Sequence, residues 1–255
     1  MPSLPLRPRS ATELVDAAFQ ILRAHYPQFI MCSAIAYLPL LIVQLVMVSD
    51  PAQLASRPEL SLLFGLGMWL DFALMSAVLV ICASQAYLGD PLDVGAAVRK
   101  ALPKMPLVLV GAIVRYAGMI LGMFVFFVGA PYIMARWFAV TPVLVLERRG
   151  LGQAFSRSSA LSKGQKLHIL GAFLLTAVIY FLLTFGVQVA VLMLVGNLIV
   201  QAIVTALLTI LIYPVVAITE ALLYFDTRIR NEGFDIELMA DALEGGGVAR
   251  EPAAP

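Results

Sequence analysis

"PYIMARWFAVTPVLVLERRG", residues 131–150, is apolar almost throughout and carries Arg136 in its middle. Its composition suits a helix in lipid, yet it is short for one, and Pro131 and Pro142 bracket it. A hydrocarbon core about 30 Å thick takes roughly 20 apolar residues in a helix. Whether this stretch crosses a bilayer, and what Arg136 does there, decides how the rest of the chain is read.

The surroundings favour lipid as the solvent. The chain has 255 residues, 61% of them hydrophobic and 13% charged, with a mean hydropathy of +0.93; soluble domains seldom exceed about half apolar residues. Apolar stretches near 28–48, 60–87, 107–128, 131–146, 167–194 and 197–225 predict six spans. In lipid the backbone must satisfy its own hydrogen bonds, so these are helices. The expected fold is all-α and polytopic: six transmembrane helices arranged as three hairpins, forming a single membrane domain over residues 1–244.

Lysine and arginine give the expected orientation. Arg7, Arg9 and Arg23 precede the first span, and Arg99, Lys100 and Lys104 separate the second from the third. Arg148, Arg149, Arg157, Lys163 and Lys166 separate the fourth from the fifth, and Arg228, Arg230 and Arg250 follow the sixth. The alternate connections hold Arg57 alone. Cytoplasmic loops carry the excess of basic residues, so both termini are expected in the cytoplasm. The N-terminus lacks the apolar core of a signal peptide.

Each odd-numbered span follows a similar lead-in, at about residues 11–25, 91–104 and 150–163. Each joins an amphipathic stretch to basic residues, a break and an apolar run, which suggests a threefold repeat. In the first, Ser10 and Glu13 have capping-box spacing, and Leu14, Ala18, Ile21 and Leu22 share a face. Basic amphipathic helices of this kind lie at headgroup surfaces and favour anionic lipid. Arg148, Arg149, Arg157, Lys163 and Lys166 are therefore the candidate headgroup-facing residues. "NEGFDIELMADAL", from Asn231, reads as a short amphipathic cap, and residues 245–255 as a disordered tail.

Four ionisable residues fall within the spans: Asp71, Arg115, Arg136 and Glu220. Such charges are costly in lipid and face protein or water. Counted at the helical rise from the cytoplasmic ends, they lie about 24, 14, 16 and 9 Å deep, in that order. Glu220 is thus expected to meet Arg136 or Arg115. Two cations with one anion leave a surplus that structural pairing, or an anionic substrate, would neutralise. In the outer half, polar groups are sparse, chiefly Asp71, Gln188, Asn197 and Gln201. Pro142 and Pro214 are expected to interrupt the fourth and sixth spans, and Gly118 and Gly122 form a small-xxx-small pair.

Catalytic patterns are missing from the sequence. The two histidines, His25 and His168, are far apart, and there is neither an H-E-x-x-H zinc motif nor a G-x-S-x-G elbow. Cys32 and Cys82 sit inside apolar runs and read as small buried hydrophobes. The charge of +1 argues against a nucleic-acid partner. The expectation is a protein without enzymatic activity, cofactor or metal.

"ATELVDAAFQILRAHY", "ARWFAVTPVLVLERRGLGQAFSRSSALSKG" and "ALLYFDTRIRNEGFDIELM" resemble the glycerophosphoryl diester phosphodiesterase membrane domain family of bacteria. The resemblance covers about residues 9–243, and its most specific part is the middle motif, with Arg136, Pro142, Glu147, Gly150, Ala154, Arg157, Ser158 and Gly164 in the family's pattern. The family takes its name from proteins in which such a region precedes a soluble phosphodiesterase domain. This chain ends eleven residues after Glu244, so the resemblance implies a stand-alone membrane region of the bacterial cytoplasmic membrane with no catalytic residue to carry over. The expected role is a membrane module or scaffold that contacts anionic lipid headgroups, a protein partner or a second copy. The alternative is a transporter or lipid-handling protein that uses Asp71, Arg115, Arg136 and Glu220.

Overall fold

The computed structural model describes residues 7–49, 56–125, 128–147, 149–234 and 236. Arg148 and the tail 245–255 lie outside the described residues, as do most of the first outer connection and of the expected C-terminal cap. The described residues form helices and contain no strand. They are α1 (Ala11–Ala24), α2 (Tyr26–Ser49), α3 (Pro58–Leu88), α4 (Val94–Ala101), α5 (Met105–Met123), α6 (Gly129–Arg136), α7 (Val140–Leu146), α8 (Leu151–Leu161), α9 (Lys166–Leu194) and α10 (Leu198–Glu232). A short 3₁₀ turn, Leu102–Lys104, joins α4 to α5.

Six segments are long and apolar enough to cross a membrane: Tyr26–Ser49, Leu62–Leu88, Val94–Met123, Gly129–Leu146, Lys166–Leu194 and Leu198–Glu232. The chain is an all-α multi-pass membrane protein. Consecutive spans pack as hairpins, α2 on α3, α5 on α6, and α9 on α10. Helix α10 is central and touches α1, α2, α3, α8 and α9. On α9, by contrast, 6% of the apolar window is buried, so most of its surface is left for lipid.

Both described termini meet at one end of the bundle, where the Arg9 amide bonds to Asp226. Most of the basic residues lie at this basic end, and the main hydrophobic core lies there too. Helix α1 caps it: the Ser10 hydroxyl accepts from the Glu13 amide at 3.3 Å and the Glu13 carboxylate accepts from the Ser10 amide at 2.8 Å. Its apolar face, Leu14, Val15, Ala18, Ile21 and Leu22, is buried against α9 and α10. A smaller cluster around Tyr37, Leu40, Ala206 and Ile210 holds the opposite half. Buried Cys32 and Cys82 join α2 to α3 as free thiols, their sulfurs 3.2 Å apart.

Close approach explains two of the glycines, to backbone at Gly122 and to a side chain at Gly118. A Cβ on Gly122 would lie 2.6 Å from the Gly129 carbonyl carbon, and one on Gly118 would lie 2.5 Å from the Trp137 ring. The Gly118–Gly122 pair is therefore the seam on which α5 and α6 pack, as small residues serve in membrane helix pairs.

Proline behaves differently from expectation at Pro214 and Pro142. Helix α10 runs through Pro214 without a break, as α2 runs through Pro39. The fourth span does break, but at Trp137–Ala139, before Pro142. A proline ring clashes with the carbonyl four residues earlier and has no N–H to offer it, which here falls on Phe138. Pro142 then sits in the first turn of α7, where the missing N–H costs nothing.

Candidate functional site

The break frees backbone groups inside the protein, and α8 satisfies them. The fully buried Ser158 hydroxyl accepts from the Ala139 amide at 3.0 Å and donates to the Arg136 carbonyl at 3.1 Å. One turn of α8 thus supplies hydrogen bonds to two backbone groups that the break at Trp137–Ala139 frees. The Arg136 side chain joins the same contact, its Nε donating to Ser159 Oγ at 3.1 Å. Arg136 is an exposed residue at the junction of α6 and α8. The depth expected from an unbroken helix does not apply, and Arg136 does not meet Glu220.

Below the break, Glu147 closes α7. It accepts from Arg157 Nε at 3.0 Å and from the Tyr224 hydroxyl at 2.9 Å, and forms an ion pair with Arg149, Nε to Oε2 at 2.6 Å. Arg157 continues to the Glu232 carboxylate with both terminal nitrogens, Nη2 at 2.7 Å and Nη1 closer. The fork geometry of guanidinium allows one side chain to hold two carboxylates. Glu232 and then Glu147 hold Arg157 more firmly in its charged form than an isolated arginine. This chain of charges ties α7, α8 and α10 together, so Arg157 is turned inward and Arg149 is engaged by Glu147. Lys163 is exposed. Lys166 Nζ lies 5.2 Å from the centre of the Tyr132 ring, a cation–π distance.

A second network ties the N-terminus to α9 and α10. Asp226, 2% exposed, accepts from the Arg9 amide at 2.7 Å, from Arg230 Nε at 2.7 Å and from His168 Nε2 at 3.0 Å. Arg230 also donates to the Arg9 carbonyl at 2.6 Å. The Asp226 oxygens are thereby occupied, which leaves His168 as part of a structural clasp. Between the networks and α4, a half-open cavity of about 330 Å³ is lined by Gln85, Lys100, Glu147, Tyr224 and Arg228, with Leu146 and Phe225 as apolar walls.

Within the spans, Arg115 meets Glu220: Nη1 and Oε1 are 3.5 Å apart, with the two side chains 20% and 8% exposed. The Arg115 guanidinium also lies 5.4 Å from the centre of the Tyr116 ring, and Ser76 and Thr141 border Glu220. Asp71 is buried elsewhere, near Tyr37 of α2. The four intramembrane charges therefore do not gather at one level. Arg115 and Glu220 pair, Arg136 goes to α8, and Asp71 stays within α2 and α3.

Sequence reading missed Tyr224, Asp226 and Glu232 as partners, because each lies on α10 far in sequence from Glu147, His168 and Arg157. A comparison of the chain with protein-family models, curated proteins and solved structures finds no match.

Proposed function

We propose that this chain is a non-enzymatic membrane module whose basic end contacts anionic lipid headgroups. The observation that carries this reading is how the cations divide. Arg149, Arg157 and Arg230 are consumed by Glu147, Glu232 and Asp226, which makes the basic end a stiff platform. Arg23, Arg99, Lys100 and Lys163 remain exposed on that platform. Positive charges held at the rim of an apolar bundle attract anionic headgroups, each contributing about 1 kcal/mol near a charged surface. The platform is bordered by the exposed apolar side chains Leu88, Leu102 and Leu167, which suits contact with the acyl boundary. The proposal includes membership in the membrane domain family that the sequence resembles, with a place in the bacterial cytoplasmic membrane and the basic end inside.

The transporter reading has less to stand on. An anionic substrate would need unpaired cations inside the bundle; Arg115 faces Glu220 there, and Arg136 is exposed beside Ser159 at the junction with α8.

The test is native mass spectrometry of the protein released from mixed phosphatidylglycerol and phosphatidylcholine bilayers. Preferential retention of phosphatidylglycerol, reduced in an Arg99→Gln/Lys100→Gln variant of unchanged melting temperature, is the expected result. Equal retention of the two lipids by the parent protein overturns the proposal.

A further inference from the structure

Where α3 ends, the chain turns back on itself. Gly89 takes a left-handed conformation at φ 80°, and the Gln85 carbonyl accepts from the Gly89 and Asp90 amides, the latter at 2.9 Å. The turn brings Asp90 beside Gln85, and both line the half-open cavity of about 330 Å³. Lys100, in the last turn of α4, and Arg228 of α10 line it as well. This volume lies within the roughly 300–1,000 Å³ that small-molecule sites occupy.

The four groups divide by charge. Gln85 Oε1 is buried and has no hydrogen-bond partner among the described residues. Asp90 is exposed, and among the described residues its carboxylate is in no ion pair. Both stand at a helix C-terminus, where the helix dipole favours a cation. An orphan acceptor, a carboxylate and a helix C-terminus together suit a cation that donates hydrogen bonds. Glu147, the other carboxylate in the wall, already faces Arg149, Arg157 and Tyr224.

Lys100 and Arg228, by contrast, suit an anion. Arg228 is held in place: its Nε donates to Glu232 at 3.2 Å, and its guanidinium lies 3.8 Å from the centre of the Phe234 ring. Guanidinium and ammonium groups both bind phosphate. The ligand that fits is therefore a zwitterion with an N–H-bearing cation close to a phosphate. A quaternary ammonium does not fit. It has no N–H to give Gln85, and the aromatic rings it would need already carry Arg228, which lies over Tyr224 and Phe234.

The rim points to a zwitterion that carries acyl chains. Leu88, in the cavity wall, and Leu102, just beyond Lys100, are exposed. Val110, Ile113 and Val114 continue the exposed apolar surface along α5.

We propose that this cavity seats the phosphoethanolamine headgroup of phosphatidylethanolamine, its phosphate held by Lys100 and Arg228 and its ammonium by Asp90 and Gln85 Oε1. This seat rests on the reading that the basic end faces headgroups, but not on a preference for anionic lipid. Phosphatidylethanolamine and phosphatidylcholine carry the same net charge. Selection between them therefore reports the cavity and not the cationic rim.

The test is native mass spectrometry of the full chain released from bilayers of phosphatidylethanolamine, phosphatidylglycerol and phosphatidylcholine in equal parts. Retention of phosphatidylethanolamine about ten-fold over phosphatidylcholine is expected, the order of factor that one hydrogen bond to a charged group gives. Gln85→Leu and Asp90→Asn, at unchanged melting temperature, should each bring that ratio to within about two-fold of unity. Neither should lower the retention of phosphatidylglycerol. A parent ratio near unity overturns the proposal, and so does either variant keeping the parent ratio. Selection of phosphatidylethanolamine with the other two lipids retained equally supports the seat while overturning the anionic-lipid preference. Glycerophosphoethanolamine, the same headgroup without acyl chains, is the second probe. Weaker retention of it than of the lipid is expected, and equal retention overturns the assignment to a lipid.

Discussion

The Ser158 hydroxyl lies 3.0 Å from the Ala139 amide and 3.1 Å from the Arg136 carbonyl, across the break that Pro142 imposes on the fourth span. A side chain from one helix thereby completes the backbone hydrogen bonding of another. The two elements depend on each other: without α8 the broken span has unsatisfied groups, and without the break the buried Ser158 hydroxyl has no backbone partners there.

Replacing Ser158 with alanine leaves a buried donor, the Ala139 amide, and a part-buried acceptor, the Arg136 carbonyl, without this partner. Each such group costs about 1–3 kcal/mol. Ser158→Ala should therefore lower the unfolding midpoint in detergent well below that of Ser159→Ala, which loses a contact to the exposed Arg136. Equal midpoints for the two variants would contradict this account.

Gly122→Ala should destabilise the α5–α6 hairpin by about 1–3 kcal/mol, the usual range for overpacking, because the new methyl group meets backbone. Gly152→Ala is the control: nothing lies within 4 Å of its Cβ position, and alanine in a helix gains about 0.5–1 kcal/mol over glycine. Thermal melting of both variants should move in opposite directions.

Breaking the Arg115–Glu220 pair by one partner should cost about 3–5 kcal/mol, since it strands a buried charge. Replacing both with leucine should recover much of that loss. A double-mutant cycle on denaturant unfolding measures the coupling, and additive losses would show that the two charges do not depend on each other.

Glu13 responds to acid. The Ser10 amide and then the Arg7 guanidinium hold its carboxyl down to about 2, from an ordinary 4.5. A depressed carboxyl stabilises the folded form fully above its ordinary value and stops doing so as the pH falls through the depressed one. The start of α1 should therefore loosen between about pH 4.5 and 2. Side-chain carbon NMR of Glu13 against pH checks it, and a midpoint near 4.5 would contradict the capping geometry.

Much of this protein is legible in local sequence. Apolar length sets six spans because lipid forces each segment to satisfy its own backbone. Ser10 and Glu13 announce the start of α1, since a cap needs partners three residues apart. Gly118 and Gly122 mark a close seam, because small residues let backbones touch. Pro142 announces a break, although the local rule places the fault at the proline and the clash places it four residues earlier.

What the tertiary structure decided is the choice among partners. Composition allowed Glu220 to meet Arg115 or Arg136, and the break at Trp137–Ala139 sends Arg136 to Ser159 and leaves Arg115 to Glu220. The loop cations looked alike in the sequence, yet Arg157 turns inward to Glu147 and Glu232 while Lys163 stays exposed. Periodicity tells which face of a helix is polar. Which polar group it meets depends on how distant helices cross, and in this chain α10 brings Tyr224, Asp226 and Glu232 to residues 58 to 77 positions away.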